Sequence, residues 1–237
     1  MKVAQQLPLG VGLRDEASFD NYFAGPNAEV QQAVQELAHG SQQFLYLWGA
    51  AGTGKTHLLH AACHTSASHG QRSAYVPLHD WRSLKQELLE GLEQLSLVCV
   101  DDIQAVAGQS DWETALFHFY NRLRASGTRL LISGIAPPAT AGMQLADLSS
   151  RLGWGLVLHL DPLNDADKIA ALQLRARHRG IELPVEVGEY LLRHWPRDMA
   201  RLYDLLQRLD THSLTQQRKL TVPFVRTLIA QAATELQ

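Results

Sequence analysis

Residues 49–56, GAAGTGKT, constrain the fold of this 237-residue chain more than any other stretch. They fit the pattern G-x-x-x-x-G-K-[ST], directly after a strand-like run (FLYLW, 44–48) and directly before a helix-length segment. Gly49, Gly52 and Gly54 allow backbone conformations that a side chain would block, so successive N–H groups can surround a phosphate at a helix N-terminus. The stretch predicts a P-loop, which is the nucleotide-phosphate site of an α/β fold.

The residues at the end of this loop are predicted to bind the phosphates and a metal ion. Lys55 would reach the β- and γ-phosphates, and the Thr56 hydroxyl would ligate Mg²⁺. The nearby Thr53 and His57 complete the predicted cofactor-binding set of the loop. The alternative is a glycine-rich turn with an incidental lysine, which the strand–loop–helix context disfavours.

A second run, LVCVDD at 97–102, predicts the acidic half of the same site. Its four apolar residues indicate a buried strand, and the end of that strand would hold Asp101 over the metal. Asp102 would then orient or deprotonate the attacking water. Taken alone, the run is equally typical of a strand end that meets a polar turn. Because it follows the glycine-rich loop, it instead predicts a catalytic pair of carboxylates.

Strand-like runs alternate with helix-length amphipathic segments up to about Pro162. The runs are short and bounded by Gly, Pro or charged residues, and they occupy 44–48, 72–78, 95–102, 128–134 and 156–160. This alternation predicts an αβα sandwich, a parallel five-stranded sheet with helices on both faces. Helical segments beginning near Asp165, Pro184, Arg197 and Pro223 then predict an all-helical lid. The expected division is a tail at 1–12, an α/β domain at 13–162 and a lid at 163–237.

Composition excludes several classes of protein. Hydrophobic residues make up 46% of the chain and charged residues 19%, which supports a full core and argues against disorder. The 21 basic and 24 acidic residues give a net charge of −3, so no overall electrostatic attraction to nucleic acid is expected. The sequence shows neither a membrane-spanning run nor a secretory leader. We expect a cytoplasmic protein in which Cys63 and Cys99 are reduced core thiols.

Three histidines follow the loop on one face of the predicted helix. His57, His60 and His64 stand at positions i, i+3 and i+7, a spacing that could hold zinc. No acidic or cysteine ligand accompanies them, and the apolar residues of the segment lie on the opposite face. We therefore interpret the three histidines as ordinary side chains of a packed helix.

Five segments together resemble the AAA+ module of the bacterial replication initiator DnaA, and hence the DnaA/Hda family. They are SFDNYFAGPN (18–27), GTGKTHLLHAAC (52–63), VDDIQ (100–104), LSSRLGWG (148–155) and RKLTVPFV (218–225). The resemblance extends from about Ser18 to the C-terminus, and VDDIQ and SRLGWG are its most specific parts. It implies an AAA+ P-loop NTPase fold with a helical lid, binding adenine nucleotide and Mg²⁺.

The resemblance also implies roles for residues outside the loop. Phe19, Asp20 and Asn21 would lie near the adenine base, although the segment alone is typical of a capping turn. Ser133, at the end of the fourth strand, matches the sensor of the γ-phosphate. Arg151 matches the arginine finger, which acts on nucleotide held by a neighbouring subunit. The alternative for Arg151 is a solvated arginine at a helix end.

Two departures from the family pattern affect these expectations. Ala200 falls where the family usually has its second sensor arginine, with Arg201 one position later and Arg197 one turn earlier. The protein's own response to ATP is therefore in doubt, and Arg201 is retained as a candidate nucleotide contact. In addition, Ile135 and Ala136 stand where charged residues often follow the sensor strand.

The arrangement of a short tail before an AAA+ module resembles the Hda group within the family. DnaA continues beyond its lid into a helix-turn-helix domain, which the printed sequence does not contain. The tail residues Gln5, Gln6, Leu7, Pro8 and Leu9 resemble the peptide by which this group docks on the sliding clamp of DNA polymerase III. The usual motif places a glutamine at the position of Ala4, so Gln5 or Gln6 must serve. The alternative is a tail without a binding role.

The resemblance implies a negative regulator of replication initiation. Its expected partners are the sliding clamp and DnaA, whose hydrolysis of bound ATP it would stimulate in trans. DNA would be reached only through the clamp, and a homodimer is a further expectation. Its own nucleotide would be largely structural, with at most weak intrinsic hydrolysis. The alternatives are a DnaC-like helicase-loader ATPase, a DnaA-related adaptor with a non-hydrolytic site, and a small-molecule kinase.

Overall fold

A computed structural model of the chain describes residues 17–216 and 219–234, and the predicted tail at 1–12 lies outside them. Five parallel strands form one sheet in the order β2-β3-β4-β1-β5. The strands are β1 (Phe44–Trp48), β2 (Ser73–Pro77), β3 (Leu97–Asp101), β4 (Arg129–Gly134) and β5 (Leu156–His159). All five predicted strands are confirmed, each within two residues of its predicted bounds.

Helices cover both faces of this sheet, as an αβα sandwich requires. The helices of the sandwich are α1 (Ala28–His39), α2 (Lys55–Ser68), α3 (Ser110–Ser126) and α4 (Ala146–Leu152). Short 3₁₀ turns occupy Gly25–Asn27, Leu78–Ser83, Gln86–Leu89, Leu92–Gln94, Ile103–Val106 and Pro138–Thr140. The fold class expected from the alternating pattern is therefore confirmed.

Alternating side chains of the strands build two separate cores, one on each face. Tyr46 and Ile132 point to the face that α3 and α4 cover, where they join Phe119. Leu47 and Leu131 point to the opposite face and pack with residues of α1 and α2. The central strand β4 is buried along its whole length, as expected for a strand with helices on both sides.

After β5 the chain forms only helices within the described residues, as the sequence predicts. They are α5 (Asp165–His178), α6 (Val185–His194), α7 (Met199–Gln216) and α8 (Val222–Thr234). These helices enclose a core of their own, which includes Leu172, Leu191, Leu202 and Val225. The exact division of the domains at 162/163 stays a prediction.

The start of the lid is fixed by local hydrogen bonds. The Asn164 side chain accepts a 2.8 Å hydrogen bond from the backbone N–H of Asp167 and so caps the first turn of α5. Asn27 holds the segment that connects β5 to α5. Its side chain donates to the Asp161 carbonyl at 3.0 Å and accepts from the Asp161 N–H at 2.8 Å. Among the described residues, no helix combines the length and the apolar character needed to cross a membrane.

Candidate nucleotide site

The loop between β1 and α2 has the backbone conformation that its glycines were predicted to allow. Gly52 and Gly54 have φ angles of +78° and +97°, and Gly54 precedes the first residue of α2. A Cβ atom on Gly54 would lie 2.9 Å from the ring of Tyr22, and one on Gly49 would lie 2.6 Å from the carbonyl oxygen of Leu160. All three glycine positions therefore exclude a side chain, for conformational or steric reasons.

Lys55 is buried and folds back over the loop. Its Nζ donates hydrogen bonds of 2.8 Å each to the carbonyl oxygens of Gly49 and Ala50. Burial lowers the pKa of Lys55, while the nearby carboxylates of Asp102 and Asp101 act in the opposite direction. The lysine thus lies at the centre of the loop, where a bound phosphate would replace the two carbonyls as its partner.

Thr56 and Asp101 meet, as their predicted common metal role requires. The Thr56 hydroxyl donates to Asp101 Oδ2 at 2.7 Å, and the Ser133 hydroxyl donates to Asp101 Oδ1. A hydroxyl and a carboxylate side by side form an oxygen donor set suited to a hard cation such as Mg²⁺. By contrast, the hydroxyl of Thr53 donates to the Ala50 carbonyl at 3.0 Å and closes the loop itself.

Tyr75 belongs to the same cluster, although the sequence did not indicate it. Its hydroxyl donates to Asp101 Oδ2 at 2.7 Å, and its ring lies against His60 with the centroids 4.1 Å apart. Burial, followed by the charge of Asp101, raises the pKa of Tyr75, so the hydroxyl remains a donor. The only sequence signal was its place in one of the predicted strands of the parallel sheet.

Asp102 is the one non-glycine residue with positive φ among the described residues, at φ 58° and ψ 52°. Its backbone N–H donates to the Ser133 hydroxyl at 2.9 Å, which ties the turn to the neighbouring strand β4. Its carboxylate accepts a 3.0 Å hydrogen bond from Gln104 and lies 4.0 Å from a ring nitrogen of His79. Such left-handed residues are concentrated at functional sites. The role of Asp102 toward water stays a prediction.

The predicted adenine segment packs beside the loop. Asn21 is buried, and its side chain accepts a 3.0 Å hydrogen bond from the Ser18 N–H, as in a capping turn. Phe19 packs against the core between the sheet and α1, whereas Asp20 is exposed and its carbonyl accepts a 3.0 Å hydrogen bond from His178 of the lid. The contribution of these residues to base binding stays a prediction.

His57 links this segment to α2. Its Nε2 donates to the Ser18 carbonyl at 2.9 Å, and its ring lies 5.3 Å from that of Tyr22. Burial lowers the pKa of His57 to about 4. His60 stacks on Tyr75 instead, so the two histidines have different surroundings. In the part of the chain that the structure describes, no three His, Cys, Asp or Glu side chains are grouped as a metal site would require.

The depressed pKa of His57 predicts a loss of stability in mild acid. Because its folded-state pKa of about 4 lies below the usual 6.5, the neutral ring stabilises the fold above pH 6.5, and this contribution is lost as the pH falls toward 4. His57→Gln keeps a donor for Ser18 but does not titrate. Between pH 7 and pH 4.5 the free energy of unfolding should fall by about 2 kcal/mol more in the wild type than in this variant. The free energy of unfolding is measured by urea titration at the two pH values. An equal fall in the wild type and in the variant would contradict the prediction.

Two family models match this chain, one for each part of the fold. The model of the bacterial DnaA ATPase domain matches residues 13–159. The chain belongs to the DnaA/Hda family of AAA+ proteins. The model described as the Hda lid domain matches residues 165–229, so the helical lid also carries a signature of the family.

Solved structures of DnaA and of another AAA+ protein share the fold. Domain III of the Thermotoga maritima DnaA is 24% identical, with a TM-score of 0.78, over 93% of this chain and 98% of that one. AMPPCP-bound DnaA from Aquifex aeolicus is 23% identical, with a TM-score of 0.68, over 86% and 68%. A Thermotoga maritima RuvB variant is 15% identical, with a TM-score of 0.61, over 89% and 72%. These likenesses confirm the AAA+ fold.

The lid of this DnaA/Hda-family protein places an acid beside the phosphate loop. Asp198, just before α7, has a carboxylate oxygen 2.8 Å from the position that a Cβ on Gly52 would take. Arg197 instead points within the lid, donating to Asp165 at 3.1 Å and to the Leu192 carbonyl at 3.2 Å. Ala200 has no group to offer a phosphate, and Arg201 stays a predicted contact. Sequence reasoning weighed the arginines here and missed Asp198.

Arg151, the predicted finger of the family, lies at the last turn of α4. Its guanidinium carbon is 4.8 Å from the ring centroids of both Phe117 and Trp154. Its Nε is buried without a hydrogen-bond partner in the described residues. No hydrogen bond or ion pair within those residues joins Arg151 to the loop at 49–54 of its own chain.

A buried carboxylate fixes the helix that carries Arg151. Glu113 of α3 accepts hydrogen bonds from the backbone N–H groups of Gly108, Gln144 and Leu145, at 2.7, 3.1 and 2.6 Å. Leu145 directly precedes α4, so the start of that helix is held against α3. These hydrogen bonds fix the backbone from which the helix of Arg151 begins.

Proposed function

We propose that this chain is an Hda-like negative regulator of replication initiation, which stimulates the hydrolysis of ATP bound to DnaA in trans. The observation that carries the proposal is Arg151, a cation that has no carboxylate or carbonyl partner among the described residues and does not serve its own loop. A solvated helix-end arginine, the alternative interpretation, would not bury its Nε beside two aromatic rings. Membership of the DnaA/Hda family supports the same function.

The chain's own site is suited to an adenine nucleotide. Two related DnaA structures were solved with AMPPCP bound. In this chain the backbone N–H groups of the loop and Lys55 would hold the phosphates. Thr56 and Asp101 would hold Mg²⁺, which when bound neutralises phosphate charge. Phe19, Asp20 and Asn21 would line the base.

This bound nucleotide would be mainly structural. Asp102 would orient a water and Ser133 would sense the γ-phosphate, but the lid brings the Asp198 carboxylate to the loop. Ala200 offers only a methyl group where the family usually has an arginine. A carboxylate repels phosphate, so Asp198 would work against Arg201, the predicted contact through which the lid would add positive charge in the transition state. We therefore propose weak intrinsic hydrolysis at most.

In trans, Arg151 would supply that positive charge to the partner. Its guanidinium can present two parallel N–H donors to a phosphate. In the transition state, negative charge accumulates on the γ-phosphoryl oxygens of the partner's nucleotide, and the arginine would stabilise this charge. Fingers of this kind raise hydrolysis rates by about 10³–10⁵-fold. The product would be ADP-bound DnaA, which prevents re-initiation.

Recruitment would come from the tail, which lies outside the described residues. Gln5, Gln6, Leu7, Pro8 and Leu9 would dock in the apolar pocket of the sliding clamp, so that DNA is reached only through the clamp. The proposed protein acts in the cytoplasm, and a homodimer would engage two pockets of one ring with higher avidity.

Changing Leu7 and Leu9 to alanine should abolish clamp binding and leave nucleotide binding unchanged. Each leucine buried on docking contributes about 1.5–3 kcal/mol, less the cost of ordering the peptide, which suggests a Kd of about micromolar for the wild type. Surface plasmon resonance with immobilised clamp measures the effect, and Lys2→Ala serves as a tail variant that should still bind. Equal affinity of the double variant would show that the tail is not the docking peptide.

The decisive experiment is an ATP-hydrolysis assay with purified components. The chain alone, DnaA alone, and both together with clamp loaded on DNA are compared by release of labelled phosphate. Stimulation only in the complete mixture supports the proposal. Rapid hydrolysis by the chain alone would favour a self-contained ATPase such as a helicase loader, and binding without hydrolysis in any mixture would favour an adaptor.

A further inference from the structure

The face formed by α3 and α4 carries a stack of arginine and aromatic side chains. Arg151 lies over both Phe117 and Trp154, at 4.8 Å from each ring centroid, and Arg124 lies over Trp154 at 4.7 Å. Trp154 is 53% exposed, and it is one of the few large apolar side chains on the described surface. Its exposure means that core packing alone does not explain a tryptophan at this position.

The aromatic rings contact the Arg151 guanidinium without accepting its N–H donors. A guanidinium group is planar, and its N–H donors lie in that plane. Aromatic rings attract the cation through their faces and accept none of these in-plane donors in the manner of an oxygen. The Nε of Arg151 is buried beside the rings without a hydrogen bond in the described residues. Its terminal N–H groups form no hydrogen bond or ion pair within the described residues, which leaves them for an anion that comes from outside the chain.

We propose that Trp154 is a positioning residue for Arg151, which holds the guanidinium plane ready for the phosphate of a nucleotide bound to a partner subunit. The inference rests on the proposed function and adds the group that prepares the arginine before the partner arrives. A free arginine side chain would lose rotamer freedom on meeting the phosphate, whereas a stacked one has already lost it. Trp154 acts through Arg151 and not on the phosphate itself.

Trp154 gives a cleaner test of the stack than Phe117. Phe117 packs partly against the core on the α3 face, so its removal would also disturb packing. Trp154→Leu removes the π face but keeps an apolar side chain, and Trp154→Phe keeps a smaller π face. Trp81 is the matched control, because Arg82 lies 4.9 Å over its ring in another part of the surface. Thermal unfolding of each variant checks that the fold is intact.

In the hydrolysis assay, Trp154→Leu should lower the maximal stimulated rate about tenfold, a size between those expected for exposed and for desolvated cation–π contacts. The concentration of the chain that gives half of the maximal rate should change less. Trp154→Phe should restore most of the rate, and Trp81→Leu should leave it unchanged. If the leucine and phenylalanine variants of Trp154 gave the same rate, the π face would have no role and the inference would be wrong.

A second readout needs no partner. In ¹⁵N-labelled protein, the Arg151 Nε–H signal, assigned from its disappearance in Arg151→Lys, should exchange slowly with water. Exchange should be faster in Trp154→Leu and remain slow in Trp154→Phe and Trp81→Leu. Unchanged exchange in Trp154→Leu would overturn the inference whatever the hydrolysis assay gives. Slow exchange lost in Trp154→Leu, together with no stimulation by the wild type, would retain the positioning role and reject the proposed function.

Discussion

Replacing Arg151 with alanine should reduce the stimulated hydrolysis of DnaA-bound ATP by about 10³-fold or more, which is the lower end of the effect of an arginine finger. Nucleotide binding and clamp binding should not change, because the Arg151 guanidinium stacks on Phe117 and Trp154 and forms no hydrogen bond or ion pair with its own loop within the described residues. The measurement is the single-turnover rate of labelled ATP preloaded on DnaA, at saturating concentrations of the chain.

Two matched variants separate charge from geometry in this experiment. Arg124→Ala removes a second arginine that stacks on the same tryptophan and should reduce the rate far less. Arg151→Lys keeps a positive charge but loses the planar pair of donors, so it should recover only a small part of the rate. A rate for Arg151→Ala within twofold of the wild type would assign Arg151 to structure and remove the main support for the proposed function.

Replacing Lys55 with alanine should abolish the stabilisation of the protein by ADP. A ligand present at about 100 times its Kd stabilises the folded state by about 2.7 kcal/mol. Since Lys55 lies at the centre of the loop and both carbonyls that it binds belong to that loop, the variant loses the phosphate contact and part of the loop's order. Without nucleotide, the variant should be only modestly less stable than the wild type.

The effect of Lys55 is measured by urea unfolding with and without ADP and Mg²⁺. Lys85→Ala is the control, because Lys85 is an exposed lysine outside the site and its removal should preserve the ADP-dependent shift. Asp101→Asn adds a test of the metal: it should reduce the part of the shift that depends on Mg²⁺. An undiminished ADP shift in Lys55→Ala would show that the loop does not bind the nucleotide phosphates.

Sequence patterns predicted the sheet well because each strand is a short apolar run between Gly, Pro or charged residues. This pattern is local and does not depend on contacts with distant segments. The loop glycines were predictable for the same reason, since the required backbone conformations are local. Thr56 and Asp101 could be paired from the motif spacing alone. Their 2.7 Å contact joins the first turn of α2 to the carboxyl end of β3.

Residues that depend on the packing of distant segments were not predictable in this way. Tyr75 has the sequence pattern of a core strand residue, and only the pairing of β2 with β3 places its hydroxyl on Asp101. Asp198 reaches the loop only because the lid folds back over the sandwich. Phe117 and Trp154 enclose Arg151 only once α4 has docked on α3. Each of these contacts joins parts of the chain that no local pattern relates.

Glu113 connects the segment that follows Asp102 to the helix that carries Arg151. One carboxylate binds Gly108, which follows the turn that carries Asp102, and also Gln144 and Leu145, which lead into the helix of Arg151. We expect a displacement of the first segment to be transmitted to the second, since stretching any of three charge-assisted hydrogen bonds in a buried setting is costly. We expect the nucleotide pocket and the helix of Arg151 to move together, so that nucleotide bound in the pocket sets the orientation in which Arg151 meets its partner.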